Sequence, residues 1–280
     1  SAEAISHFTD IKQDVLLSKL DPPLSLYATI LRYPRRILMG CSSQLFAQFN
    51  GINLISYYAP LVFEAAGWKG RQAIEMTGYN SIIYLLSTIP PWWLVEHWGR
   101  KPLLIIGGFG MMASLILVAY CSSWGNDGAF LVVIFVIIYN SLFGLSWGAI
   151  PWLLAPEVLP TKARASGASL ATATNWLCNF IVGELAPIGL EVLKWRLYLI
   201  HAFSCLISII VVWFAYVETK GVKLEDLDLM FDDASRASSV YSRQMADTSG
   251  SRPLLQANSN NIMSNNEVQI PSINAIQKFK

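Results

Sequence analysis

Gln44-Leu-Phe-Ala-Gln48-Phe-Asn50-Gly51-Ile-Asn53-Leu-Ile-Ser-Tyr57-Tyr58 lies inside an apolar run from about Ile37 to Phe63. Such a run is long enough to cross a bilayer, which takes about 20 mostly apolar residues in a helix. A helix that only anchors a protein in lipid has no use for this many amides, because each unpaired amide in hydrocarbon costs at least about 1–3 kcal/mol. Polar groups at membrane depth face protein or a wet cavity, and they mark function by default. The cluster reads as a wall of amides facing something polar, uncharged and rich in hydroxyls.

The rest of the chain agrees with a membrane setting. It is 54% apolar and 14% charged, against roughly 25% charged residues in soluble domains. A net charge of +1 gives no case for nucleic acid or an acidic partner. Cys41, Cys121, Cys178 and Cys205 fall in or beside apolar runs without metal-ligand spacing, so they read as small buried hydrophobes rather than a disulfide framework. The opening segment, Ser1 to Leu20, is polar and amphipathic and reads as the continuation of something upstream.

Six runs have spanning length, roughly 37–62, 74–96, 102–123, 129–152, 166–190 and 198–216. Charge, Gly or Pro separates them, as at Lys69-Gly-Arg71, Gly99-Arg100-Lys101-Pro102, Lys162-Ala-Arg164 and Lys194-Trp-Arg196. An even number of spans puts both ends on one side. Of the 20 Lys and Arg, only Lys69, Arg71, Lys194 and Arg196 fall in loops of the opposite face, so the positive-inside rule makes both ends cytoplasmic. From about Phe231 to Lys280 the composition turns to Ser, Asn, Asp and Arg, which cannot bury enough surface to offset ordering entropy and predicts a disordered tail. The expected division is cytoplasmic linker helices in 1–35, a six-span bundle in 36–217, the start of a cytoplasmic helix in 218–230 and the tail in 231–280.

In an unbroken helix, at about 100° per residue, Gln48 and Asn53 would point some 140° apart. They converge on one ligand only if the helix unwinds at Asn50-Gly51, a poor helix interior in which Gly alone costs about 1 kcal/mol relative to Ala. Transporters use discontinuous helices in this way near the midplane. The plainer account is amides that bond neighbouring helices; it would suffice for one Asn but not for this cluster. Asn175-Trp176 and Asn179 repeat the theme, with the two asparagines on one helix face. Trp147-Gly148-Ala-Ile-Pro151-Trp152 pairs a weak helix with an aromatic plug, although Trp152 alone would pass for an interfacial belt residue. No Lys or Arg lies within the apolar interiors of the first, second, fourth or fifth run, so no fixed counter-ion awaits a charged ligand.

Three charge clusters mark the cytoplasmic helix ends: Glu96-His-Trp-Gly99-Arg100-Lys101, Pro156-Glu157 through Lys162-Ala-Arg164, and Glu218-Thr-Lys220-Gly221. Isolated surface pairs contribute roughly 0–1 kcal/mol. A network formed in only one conformation can nevertheless bias a two-state equilibrium. Setting topology is part of the account for Arg100, Lys101, Lys162 and Arg164.

Together these segments resemble the C-terminal half of a major facilitator superfamily sugar porter, particularly a fungal one, over about residues 1–230. The motifs are Gln48-Phe-Asn-Gly-Ile-Asn53 with Tyr57-Tyr58, Gly99-Arg100-Lys101, Gly148-x-x-Pro151-Trp152, Pro156-Glu157 with Arg164, Asn175-Trp176 with Asn179, and Glu218-Thr-Lys-Gly221. The resemblance implies an all-α membrane protein, six transmembrane helices forming half of a twelve-helix fold. It implies that Gln48, Asn53, Asn175 and Asn179 hydrogen-bond a sugar, with Trp152 closing beneath it. Asn50 joins the candidate site by local geometry only, and Tyr57 comes from the adjoining tyrosine pair. The resemblance also makes Glu96, Arg100, Glu157, Arg164 and Glu218 an inner gate network. The chain departs from the family pattern at Ala47, where a second glutamine is common. It departs again at Tyr84, where a sugar-binding asparagine stands (Asn80 lies one turn earlier), at Gly144 in place of a glutamate, and at Val217 in place of a proline.

The expected function is transport of a neutral, hexose-class monosaccharide by alternating access, as facilitator or proton symporter. The rival is a non-transporting sugar sensor on the same fold, signalling through the tail; a half-length remnant without function of its own is a third possibility. The expected partners are the sugar, protons in the symporter case, the lipid bilayer of a plasma or vacuolar membrane, and the N-terminal half that this chain lacks. The sequence has no metal-ligand cluster, nucleophile–base pair or phosphate loop, so neither an enzyme nor a cofactor is expected.

Overall fold

In the computed structural model, which describes residues 23–222 and Phe231 apart from the side chain of Asn126, Ser25 caps the first described helix, α1 (Leu26–Arg32), its hydroxyl accepting from Ala28 N at 3.3 Å. The linker helix expected around Ile5–Leu20, residues 223–230 and the tail beyond Phe231 lie outside the described residues. Pro34 opens α2 (Pro34–Phe49), a position where its missing N–H is not needed. The chain then breaks at Asn50-Gly51, as expected. Gly51 adopts φ +105°, a left-handed conformation that only glycine enters without strain. Two short helices complete the first span, α3 (Ile52–Tyr57) and α4 (Ala59–Ala66), separated at Tyr58 with Pro60 in the first turn of α4.

The second span is likewise divided. α5 (Arg71–Ser87) ends before Pro90-Pro91, and α6 (Pro91–Trp98) follows. The third is one continuous helix, α7 (Arg100–Ser122). After a 3₁₀ turn at Gly125–Gly128, the fourth is α8 (Ala129–Leu145) followed, across Ser146–Ala149, by α9 (Ile150–Glu157). α10 (Thr161–Leu193) and α11 (Arg196–Ala215) are the fifth and sixth. Every element among the described residues is helical.

Four stretches are long and apolar enough to cross a membrane: Arg100–Ser122, Ala129–Glu157, Thr161–Leu193 and Arg196–Ala215. The first two spans contain no single helix of that length, because Gly51 and the prolines divide them. That is the physical content of the Asn-Gly and Pro-Pro signals in the sequence.

α7 is the hub. Leu104, Gly108, Met111, Leu115 and Val118 form its buried stripe, spaced at three and four residues, and it packs chiefly against α8 and α11. Gly108 lets these helices approach closely: a Cβ there would stand 2.8 Å from Ile209 Cγ1. The fully buried Trp147, at the α8–α9 joint, donates from Nε1 to Leu104 O at 2.9 Å. α2 packs chiefly on α10 and α9, with Gly40 against Ala155 and Ala171, the small-residue contact that membrane helices favour. Large apolar side chains cover the outside instead, including Leu38, Trp92, Val192 and Phe214. Lipid is the solvent that makes such a surface stable.

Candidate functional site

Gln44 and Gln48 lie one turn apart on α2, as Asn175 and Asn179 do on α10. The two helices run side by side, so the pairs meet as rungs. Asn175 Nδ2 donates to Gln44 Oε1 at 2.6 Å, and Asn179 Nδ2 reaches Gln48 Oε1 at 3.5 Å. Both rungs join residues 131 positions apart, so the ladder is parallel and in register. The break at Asn50-Gly51 adds a third arm: Asn53, on α3, donates its Nδ2 to the same Gln48 Oε1. Tyr57, one turn further along α3, receives Asn179 Nδ2 on its hydroxyl at 3.1 Å.

Gln48, Asn53, Asn175, Asn179 and Tyr57 therefore form one continuous polar group across α2, α3 and α10. Gln48, Asn53 and Asn175 are almost wholly buried, whereas Tyr57 is 56% exposed at the edge. Gln48 Nε2 and Asn175 Oδ1 make no hydrogen bond among the described residues, and neither is sealed from solvent. A donor pair and an acceptor thus remain open on successive rungs, groups of the kind that a hydroxyl-bearing ligand complements. Trp152, on α9, is 47% exposed and bonds none of these side chains.

Asn50 is placed differently from the expectation. It is fully buried and turned toward α11, where its Oδ1 accepts from Ser204 Oγ at 3.1 Å and its Nδ2 donates to Ser208 Oγ at 3.4 Å. Its backbone carbonyl, freed by the break, accepts from Tyr139 OH at 2.9 Å. His201 Nδ1 lies 2.8 Å from Phe49 O, a contact in which the ring nitrogen carries the proton. These bonds satisfy the backbone groups that an interrupted helix exposes. Asn50 holds the break in place from outside the amide cluster, with both ends of its side chain bonded to α11.

Gln44 opens the amide stretch of the sequence but is absent from the candidate site residues, and Tyr139, His201, Ser204 and Ser208 are absent from both. Gln44 was within reach, since it precedes Gln48 by one turn on the same face. Ser204 and Ser208 carry the same four-residue spacing in an otherwise apolar helix. Nothing local marked Tyr139 or His201, whose roles depend on which helices become neighbours.

The opposite end of the bundle, where α6 passes into α7, holds the charged group. Arg100 grips Glu157 with two bonds, Nη2 to Oε1 at 2.6 Å and Nε to Oε2 at 3.1 Å, the paired-fork arrangement. Thr219 Oγ1 also donates to Glu157 Oε2, at 3.1 Å. The carboxylate of Glu218 sits on the first turn of α7, accepting from Arg100 N at 3.0 Å and Lys101 N at 2.9 Å, where the helix dipole favours negative charge. Lys101 Nζ reaches back to the last carbonyls of α11, Trp213 O and Tyr216 O, so α7 and α11 cap one another. Gly99, at φ +93°, allows this approach: a Cβ there would stand 2.6 Å from Glu218 Oε2.

Two expected members stand apart from these bonds. Glu96, on α6, is exposed and forms no ion pair among the described residues. Arg164 faces Arg100 and Glu157 across a cavity of about 400 Å³ without bonding either, and its buried Nε has no partner.

The sequence profile of the family described as "Sugar (and other) transporter" matches residues 9–231. The chain is 32% identical over 244 residues to the Major facilitator superfamily transporter mfsA of Aspergillus fumigatus, covering 84% of this chain and 44% of that protein. It is 35% identical over 202 residues to the Sugar transporter STL1 of Saccharomyces cerevisiae, covering 71% of this chain and 36% of that protein. Among solved structures it is similar to the proton:xylose symporter XylE bound to 6-bromo-6-deoxy-D-glucose, with a TM-score of 0.63 and 29% identity over 70% of this chain and 42% of that one. The chain thus spans less than half the length of these relatives. With the six-span order, the family profile and the fold in agreement, the chain belongs to the sugar transporter family of the major facilitator superfamily, as part of such a protein.

Proposed function

We propose that this chain is the C-terminal half of a transporter that moves a neutral, hexose-class monosaccharide across a membrane by alternating access. The observation that carries the reading is the in-register ladder Gln44–Asn175 and Gln48–Asn179, joined across the helix break by Asn53. Its open Nε2 donors and Oδ1 acceptor match the alternating donors and acceptors of vicinal hydroxyls, and no Lys or Arg belongs to the cluster. Gln48, Asn53, Asn175, Asn179 and Tyr57 are the proposed ligand residues, with Trp152 as the aromatic face that closes on the sugar. The relatives' names support this reading, being those of sugar and major facilitator transporters. XylE is named a proton:xylose symporter, which keeps proton symport beside facilitated diffusion as the energy coupling. No observation favours the sensor alternative.

The proposed orientation has both ends of the chain in the cytoplasm of a plasma or vacuolar membrane. Arg100, Glu157, Arg164 and Glu218 then stand at the inner mouth. The Arg100–Glu157 fork holds the start of α7 to the end of α9 at that mouth. In the full-length protein, Gln48→Ala or Asn175→Ala should reduce sugar uptake at least tenfold at unchanged surface expression. Wild-type uptake in both variants would sink the assignment.

A further inference from the structure

We infer that Tyr139 and His201 are positioning residues for the proposed ligand, acting through two backbone carbonyls at the helix break rather than by contact. In a continuous helix each carbonyl accepts from the N–H four residues on. Phe49 O would then take the Asn53 N–H, and Asn50 O the Leu54 N–H. Here α2 stops at Phe49 and α3 starts at Ile52. Both carbonyls accept from side chains of other helices instead, Phe49 O from His201 Nδ1 at 2.8 Å and Asn50 O from Tyr139 OH at 2.9 Å. Tyr139, on α8, is fully buried, and His201, on α11, is 7% exposed. Neither side chain belongs to the amide cluster.

These two donors select the broken form. A backbone carbonyl at membrane depth must be satisfied by protein. Without His201 the replacement for Phe49 O is the Asn53 N–H, and without Tyr139 the replacement for Asn50 O is the Leu54 N–H. Taking either bond continues α2 into α3, and a continuous helix carries Asn53 about 140° round from Gln48. Asn53 Nδ2 then leaves Gln48 Oε1, which it now reaches, and the cluster loses its arm from beyond the break. His201 acts a second time through packing. Its ring lies against Gly51, where an added Cβ would stand 3.0 Å from Cγ and 3.4 Å from Cδ2, so the φ of +105° is backed by a wall as well as by a hydrogen bond. The inference rests on the reading of Gln48 and Asn53 as ligand residues. Its consequence is that losing either donor weakens binding without removing a group that touches the ligand. The donor atom also supplies a discriminating substitution. Asn places its Nδ2 close to where His201 holds Nδ1, whereas Gln places its Nε2 near the far ring nitrogen.

The test sets KM against surface-normalised Vmax for uptake of D-glucose and D-xylose by the full-length protein. His201→Leu, His201→Gln and Tyr139→Phe should each raise KM by about fivefold or more with Vmax within about twofold of wild type, the pattern of lost binding. His201→Asn should stay within about twofold of the wild-type KM. A purely structural role lowers Vmax through the amount of folded protein, leaves KM alone and makes Asn no better than Gln. That outcome overturns the inference. A second arm does not depend on transport. A cryo-electron microscopy structure of the full-length His201→Leu/Tyr139→Phe variant should show the helix continued across residues 50–52 and Asn53 turned off Gln48. Asn53 still on Gln48 in that structure overturns the inference whatever the uptake. Should the double variant fail to fold, the structures of the two single variants decide on the same criterion. Wild-type protein that takes up neither sugar counts against the transport reading and leaves the structural arm to decide the positioning role.

Discussion

Replacing Gly51 with alanine tests whether the first span must break where it does. Gly51 sits at φ +105°, and a Cβ there would lie 3.0 Å from His201 Cγ and 3.1 Å from His201 Cβ. A side-chain-bearing residue in such a conformation costs about 1–3 kcal/mol. The crowding also pushes His201 off Phe49 O, a hydrogen bond with a net contribution of about 0.5–1.5 kcal/mol. Together these predict destabilisation by about 2–4 kcal/mol, a large share of the roughly 5–15 kcal/mol that holds a typical domain. Gly78 is the matched control, being helical in α5 with nothing within 4 Å of a new Cβ. There the same substitution should stabilise by about 0.8–1 kcal/mol through helix propensity alone. Reversible unfolding in mixed micelles would compare the two variants directly, with an expected gap of about 3–5 kcal/mol. A gap below about 0.5 kcal/mol would refute the claim that the break is fixed by backbone conformation and by His201. Straightening of the helix in Gly51→Ala would still show itself, because Cys pairs placed at positions 48 and 53 would no longer cross-link.

A double-mutant cycle on Arg100 and Glu157 should give a coupling of about 1–2 kcal/mol, above the exposed-pair range because the fork is bidentate and partly buried; Arg100→Lys should recover less than half of it, and a coupling near zero would deny the contact any part in holding this end closed. Asn50→Ala should lower the unfolding midpoint more than Asn179→Ala does, since it strips two side-chain bonds from a fully buried site, whereas Asn179→Ala should weaken sugar binding more than it weakens the fold. Sugar titrations and thermal scans on the same two preparations would reveal the opposite ordering, which would exchange their roles.

Most of the fold could be read from residue order. Spanning runs follow from hydrophobic length, and their interruptions follow from Gly51 and the Pro90-Pro91 pair, because those residues act locally through φ or a missing N–H. The amide cluster was legible where one helix face carried the pattern, as with Asn175 and Asn179. The break allowed Gln48 and Asn53 to meet, and that inference needed only the helical angle. Asn50 was not legible. Its direction is set by Ser204 and Ser208, more than 150 positions away, and by the choice of α11 as the neighbour behind the break. Glu96 stands in sequence beside Arg100, but it is exposed on α6 and forms no ion pair among the described residues, which its motif alone does not say. Arg164 shows a third limit, since a motif can specify a charge without saying what it pairs with.

The division of labour between Asn50 and Gln48 explains how a helix break can be both fixed and responsive. Asn50, Tyr139, His201 and the two serines satisfy the freed backbone from the side away from the amides, so the unwound point does not depend on a ligand to exist. Gln48 Oε1, by contrast, is shared by donors from two other helices, Asn53 beyond the break on α3 and Asn179 on α10. Any hydroxyl that donates to this oxygen competes with one or both. Exchanging one hydrogen bond for another changes little net energy, about 0.5–1.5 kcal/mol each, but it releases Asn53 from α2. α2 stays tied to α10 through Gln44 and Asn175, while α3 and α4 keep, among the described residues, only the bonds of Tyr57 to Asn179 and of Tyr58 to Gly183 O. On the proposed reading, occupancy of the cluster and the angle at the break would be linked through a single oxygen atom, with Gly51 as the pivot between α2 and α3.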